Sequence, residues 1–240
     1  MNEASVMVYL MTGFLDSGKT QFLKFTLEQD YFQIDGKTLL ILCEEGEEEY
    51  DPMELLKYGV VIEKVEDQEN LTEEWLEEMI RKHEPERVVV GYNGMWKVSD
   101  FENLKLPDGW EIEQKLTTVD ASTFQMYLTN LKPLFVEMVR DAELVLFNRC
   151  EDIKPLAGYR RSVKVVSPQA EVIFEDENGE VENIFEDDVP YDLKAPVIEI
   201  AKEDYGIWYV DMMENPDRYK GKVVEFTAKA VKPRTFPSKV

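Results

Sequence analysis

Residues 5–28 read SVMVYLMTGFLDSGKTQFLKFTLE, and this stretch decides the fold. Residues 5–11 are an apolar, β-rich run with the pattern of a buried strand. The run ends at Thr12-Gly13, and a helical pattern occupies 19–28. Between them, Gly13-Phe14-Leu15-Asp16-Ser17-Gly18-Lys19-Thr20 fits G-x-x-x-x-G-K-[ST] without a gap. Strand, tight loop and helix in that order are the context in which this motif cradles phosphate. Glycines let successive backbone N–H groups turn inward around an anion. Lys19 sets a cation against the β and γ oxygens of a nucleotide. The Thr20 hydroxyl is a ligand for Mg²⁺, and the helix directs its positive N-terminus at the same place. The alternative is a glycine-rich turn with an incidental lysine, which the flanking strand and helix disfavour. Asp16 is out of place in such a loop. A carboxylate facing inward would repel phosphate, so it must point to solvent or pair with a cation.

Outward from this stretch the alternation continues. After the turn Asp35-Gly36, residues 38–43 predict a second apolar strand, and an acidic loop follows over 44–51. Residues 53–57 predict a short helix and 60–65 a third strand. A helix over 71–83 takes Thr72 as its N-cap, with Glu73 and Glu74 in the first turn, where carboxylates suit the helix dipole. Residues 87–90 give a strand, apolar after Arg87, that ends at Gly91-Tyr92-Asn93-Gly94. A strand over 113–119 runs into Asp120-Ala121-Ser122. One helical pattern covers 124–140, and a strand over 143–147 ends at Asn148. Strands alternating with helices predict a doubly wound α/β fold of the phosphate-loop NTPase kind, a mostly parallel sheet with helices on both faces. From 167 to 193 the pattern decays into acidic sequence punctuated by proline and glycine, with a hairpin across Glu177-Asn178-Gly179. Residues 195–200 resume as a strand, 203–215 as a helix and 222–231 as a strand. The expected organisation is a nucleotide-binding domain over 1–190 and a small α+β module over 195–240.

The 240 residues suit one α/β domain plus such a module. A formal net charge of -23 repels phosphodiester backbones and anionic lipid headgroups. Nucleic acid and membrane surfaces are therefore disfavoured as direct partners, and cations or basic protein faces are favoured. Solubility alone also accounts for such a charge. Cys43 and Cys150 make neither a disulfide framework nor a cysteine-rich metal site, and they fit a reducing cytoplasm. The apolar run over 6–15 lacks the basic lead and the small-residue cleavage site of a signal peptide. No stretch is long and apolar enough to cross a bilayer. His83, the sole histidine, falls at a predicted helix end beside Lys82 and suits a helix-end charge role. Trp75, Trp208 and Tyr209 read as core-facing, and Cys150 as a small buried residue.

These motifs resemble the CobW-type GTPases, a family of metal-linked phosphate-loop proteins whose loop usually reads G-F-L-G-S-G-K-T. Gly13-Phe14-Leu15 and Ser17-Gly18-Lys19-Thr20 match, and Asp16 departs. The family's loop after the second strand, N-E-F-G-E-x-G-x-D, corresponds to residues 43–51, where Glu44, Gly46, Glu47 and Asp51 match and Cys43 replaces the Asn. The family's Cys-x-Cys-Cys metal motif is missing. Its E-T-S-G motif aligns with Gly91-Tyr92-Asn93-Gly94, which keeps the last Gly and loses the Glu. Its guanine-reading N-K-x-D aligns with Asn148-Arg149-Cys150-Glu151, and its V-V-D-A strand end survives as Thr118-Val119-Asp120-Ala121. Residues from 195 onward resemble a module that accompanies predicted bacterial permeases.

The resemblance implies a Mg²⁺-dependent GTP-binding protein with slow GTPase activity, acting in metal or solute handling as regulator or chaperone of a partner such as a permease or metalloprotein. The nucleotide is a purine triphosphate, GTP or ATP, and a homodimer is the candidate assembly. Lys19 would stabilise charge on the leaving phosphates. Thr20 and Glu47 would hold Mg²⁺, and Glu44 or Glu47 would position magnesium or the attacking water. Gly94, Asn148, Arg149 and Glu151 would complete the nucleotide site, though Glu151 is one methylene longer than the usual Asp. The acidic loop 44–51 offers hard oxygen ligands suited to Mg²⁺ or Ca²⁺ rather than zinc; a solvated charge run is the alternative. Two other functions stay open. A small-molecule kinase would need an arginine lid, and Arg160-Arg161 is the only adjacent pair. A non-hydrolysing nucleotide-binding module associated with a permease fits Asp16 and the altered 91–94 motif. The module over 195–240 has few elements and no disulfide, so it is expected either to pack on the first domain or to continue beyond residue 240.

Overall fold

The computed structural model describes residues 5–46, 50–151, 153, 156–181, 184, 189–202 and 204–229. The chain divides into two compact units, Met1–Glu182 and Asn183–Val240. The larger unit contains β1 (Val6–Thr12), α1 (Lys19–Leu27), β2 (Thr38–Leu42), α2 (Pro52–Leu55), β3 (Val60–Lys64), α3 (Glu73–His83), β4 (Arg87–Gly91) and α4 (Val98–Glu102). It continues with β5 (Trp110–Asp120), α5 (Ala121–Asn130), α6 (Lys132–Val139), β6 (Leu144–Asn148), α7 (Leu156–Lys164), β7 (Glu171–Asp176) and β8 (Gly179–Glu180). The strands form one sheet in the order β3-β2-β4-β1-β5-β6-β7-β8. Every pairing is parallel except the β7–β8 hairpin.

The order explains where a site can form. From β1 the chain crosses to β2 and β3 on one side, returns to β4 beside β1, then passes to β5 on the other side of β1. The direction of winding reverses around β1, and in open parallel sheets a crevice opens beyond the carboxyl ends of strands at such a point. Both faces of the sheet are covered, as side chains alternate along each strand. Leu23 and Leu27 of α1 and Leu55 of α2 pack with Met11, Leu40, Leu42, Val60 and Val89. A separate aromatic layer joins Phe124 of α5, Phe135 of α6 and Tyr159 of α7 to Phe147 of β6, which stacks on Phe174 of β7. Arg87, at the head of β4, is buried because its guanidinium lies 3.8 Å from the Phe32 ring centroid and donates to Thr38 Oγ1.

The structure corrects several expected elements. The single helix over 124–140 is two helices, broken at Leu131; Pro133 has no N–H to give and its ring crowds the carbonyl four residues back. The segment 167–193 does not simply decay: β7 is a parallel strand on β6, and only β8 is marginal. The helix α7 had no counterpart in the sequence reading. The strand over 113–119 begins earlier, at Trp110.

The smaller unit holds β9 (Val197–Ile200), α8 (Tyr205–Glu214) and β10 (Val223–Phe226), with β9 and β10 parallel. Tyr191, Ile198, Ile200, Trp208 and Tyr219 form its core. The expected strand over 222–231 ends at Phe226, and its last two residues lie outside the described ones. Tyr209 is exposed rather than core-facing, because its neighbour Trp208 takes the inward side of the helix. Among the described residues, no helix is long and apolar enough to cross a membrane.

Candidate nucleotide-binding site

The loop between β1 and α1 is held from several sides before any ligand enters. Gly13 has φ +145°, and a Cβ there would collide with Thr118 O and Ser17 Oγ. The Ser17 hydroxyl lies 3.0 Å from that of Thr118. Phe14 is buried and stacks on Tyr127 with centroids 4.2 Å apart. Asn148 Nδ2 donates to Ser17 O at 2.8 Å, and Arg149 Nη1 donates to Asp16 O at 2.8 Å. Asp16 has φ +58°, a left-handed conformation that glycine adopts freely and Asp tolerates better than most residues. That backbone requirement explains how Asp replaces the usual Gly, and the residue is exposed on the cleft lining.

Lys19 is buried, and its ammonium donates to Gly13 O at 2.7 Å and Phe14 O at 2.8 Å. It also forms an ion pair with Glu44, the second residue beyond β2. Burial lowers the Lys19 pKa from its ordinary value, while Glu44 and then Asp16 oppose the shift. The other oxygen of Glu44 accepts from the Gly94 N–H at 3.1 Å. Asn93 Nδ2 donates to Cys43 O at 3.1 Å, so the turn after β4 is tied to the end of β2. Gly94 lies hard against the loop: a Cβ there would strike Gly13 O and Phe14 Cα.

An open cleft lies at this edge of the sheet, lined by Leu15, Asp16, Lys19, Thr20, Glu44 and Arg149 among others. Thr20 faces Gly46, whose position would put a Cβ 3.7 Å from the Thr20 hydroxyl. The Thr20 hydroxyl on the cleft wall is a hard oxygen donor of the kind that suits Mg²⁺, whereas both oxygens of Glu44 are taken by Lys19 and the Gly94 N–H. Glu47, expected to hold magnesium or position water, lies outside the described residues. On the other wall, Arg149 Nη1 also reaches Asp120 Oδ2 at 2.6 Å, while Asp120 Oδ1 accepts from Ser122 N at 2.8 Å and caps α5.

The structure thus brings Gly13, Phe14, Leu15, Asp16, Ser17, Gly18, Lys19, Thr20, Glu44, Gly94, Asn148 and Arg149 to one edge. Glu151, two residues beyond Arg149, is exposed. Asn148 holds the loop with its amide group, and its Oδ1 is buried with no hydrogen-bond partner among the described residues. Thr118, Asp120 and Tyr127 were not expected as parts of the site. The signal for Asp120 was its place between a strand and a helix, the position of an N-cap. Burial raises the thiols of Cys43 and Cys150 to about 12. His83 Nε2 lies 2.6 Å from Glu63 Oε1, away from the cleft.

No protein-family model and no curated protein matches the chain. Solved structures do. The Zn(II)-bound YjiA GTPase from E. coli superposes with a TM-score of 0.54 at 20% identity, covering 76% of this chain and 60% of that one. The hydrogenase maturation factor HypB from Archaeoglobus fulgidus gives a TM-score of 0.50 at 17% identity, covering 73% of this chain and 83% of that one. The chain spans three fifths of the YjiA structure's length. With these two proteins the chain shares a fold, the mostly parallel, doubly wound α/β sheet.

Proposed function

We propose that the larger unit binds a purine nucleoside triphosphate with Mg²⁺ and hydrolyses it slowly, as a cytoplasmic regulator or chaperone of a partner protein in metal handling. The observation that carries this reading is the convergence of Lys19, the α1 N-terminus and the Gly94 N–H at the sheet's switch point. All three are donors to anionic oxygen, set in a loop whose shape is fixed in advance by Thr118, Asn148, Arg149 and Tyr127. Fixed donors stabilise charge on a transferring phosphoryl group without reorganising. Thr20 is the residue to hold Mg²⁺, with Glu47 a further candidate, and the bound ion would supply neutralisation of the phosphate charge. Support for the metal-linked part comes from the motifs resembling CobW-type GTPases and from YjiA, whose structure is described as Zn(II)-bound.

The residues also bear on rate and base preference. Gly91 stands where the resembling family carries a carboxylate, and Arg149 is engaged with Asp16 O and Asp120. Intrinsic hydrolysis is therefore expected below about 1 s⁻¹, the lower end of kinase turnover. Glu151 stands where the resembling family's base-reading motif carries Asp and is one methylene longer, so the preference for GTP over ATP is expected to stay well below about a thousandfold, or about 4 kcal/mol. Steady-state phosphate release with MgGTP and MgATP reads both. Transfer to an acceptor other than water would favour the kinase instead, and complete absence of turnover with intact binding would favour the non-hydrolysing module, which Asp16 and Gly91 also fit.

A further inference from the structure

The Lys19 ammonium has three protons to donate. In the structure their acceptors are Gly13 O, Phe14 O and the Glu44 carboxylate. The two carbonyls belong to loop backbone that is fixed by its own contacts, so only the Glu44 side chain is exchangeable. That carboxylate also takes the Gly94 N–H with its second oxygen. One anionic group thus bridges the loop lysine and the turn after β4, and it is itself largely buried. These two donors flank the open end of the phosphate loop, where the terminal phosphate of a bound chain would lie.

We propose that Glu44 is a tethered stand-in for the terminal phosphate, filling that anion position in the nucleotide-free chain and setting the preference between triphosphate and diphosphate. The inference rests on the nucleotide-binding reading. A triphosphate must evict the carboxylate, because two anions cannot share one buried ammonium without strong repulsion. A diphosphate ends short of the position and leaves Glu44 in place. The tether gives the carboxylate a high effective concentration, so its competition is felt even though it gains no new contact on release. Since Glu44 leads directly into the loop after β2, its eviction is also how the third phosphate would be sensed by that loop.

The test is calorimetric titration of a non-hydrolysable GTP analogue and of GDP into the wild-type chain, Glu44→Gln, Glu44→Ala and Lys19→Ala. A chelator withholds Mg²⁺, so that a carboxylate's service to a cation does not enter. Glu44→Gln keeps the shape and removes the charge. It is expected to tighten the triphosphate analogue about tenfold, or about 1.4 kcal/mol, while GDP changes less than about threefold; Glu44→Ala should act in the same direction. An equal change for both nucleotides, no change, or weaker triphosphate binding overturns the stand-in role. Where the chelated wild-type chain binds neither nucleotide, the same four chains are compared with Mg²⁺ restored; a wild type that binds neither nucleotide there, or a Lys19→Ala variant that binds like wild type, overturns the nucleotide reading itself and the proposal with it.

Discussion

Lys19 was legible in the sequence because its chemistry is local: eight consecutive residues specify the loop, and the flanking strand and helix confirm it. Its partner Glu44 was legible as a site residue but not in its role. The bond from Glu44 to Gly94 joins positions 50 residues apart, and it depends on the register of β2 against β4, which no local pattern encodes. The same reason hid Thr118 and Tyr127. Glu151, expected at the base from its motif, is exposed in the structure. The cysteines give a residue-scale prediction. Both are buried, and burial lifts each thiol to about 12, so at pH 8 both stay thiols and react far more slowly than an exposed, low-pKa cysteine. Ellman's reagent should titrate far less than one thiol per native chain and two after denaturation. A full equivalent reacting within the mixing time of the native chain would contradict this.

At the scale of elements, hydrophobic period predicted most strands within a few residues, because parallel strands covered on both faces read as unbroken apolar runs. Residues 38–43 and 87–90 are such runs, and β2 and β4 are buried throughout. The period failed where a proline divided α5 from α6, and where α7 follows the site with little apolar signal. α5 deserves a mutational probe because it joins the site to the sheet: Asp120 caps it, Tyr127 packs on Phe14, and Phe124 anchors it. Phe124 is 1% exposed and touches the rings of Phe135, Phe147 and Tyr159. Phe124→Ala should destabilise the larger unit by about 3–5 kcal/mol through lost burial and the cavity left behind. Denaturant unfolding followed by circular dichroism measures it, and a loss under about 1 kcal/mol would show that the aromatic layer is not a packed core.

At the scale of the whole molecule, alternation of strand and helix predicted the doubly wound class, but not the order of strands. That order is set by long-range pairing, and it is what puts β1 between β4 and β5 and opens the crevice at the loop. The smaller unit was read as strand, helix and strand, and it has these elements. Its polar core was not foreseen: Tyr191 and Tyr219 hydroxyls lie 2.8 Å apart, and Asp211 accepts from Tyr219, Arg218 and Asn215. A net charge of -23 surrounds a site built to receive an anion, so long-range repulsion must be overcome by contacts within the cleft and by salt. The central claim is that Gly13 to Thr20 form that receiving site with Lys19 as its cation. Calorimetric titration of MgGTP into the wild-type chain and Lys19→Ala at physiological ionic strength tests it most directly. The account predicts saturable one-to-one binding by the wild type. The variant should keep its fold by circular dichroism and bind at least about 100-fold more weakly, about 2.8 kcal/mol, as expected for losing charged hydrogen bonds in a buried site. Equal affinity of the two folded chains would contradict it.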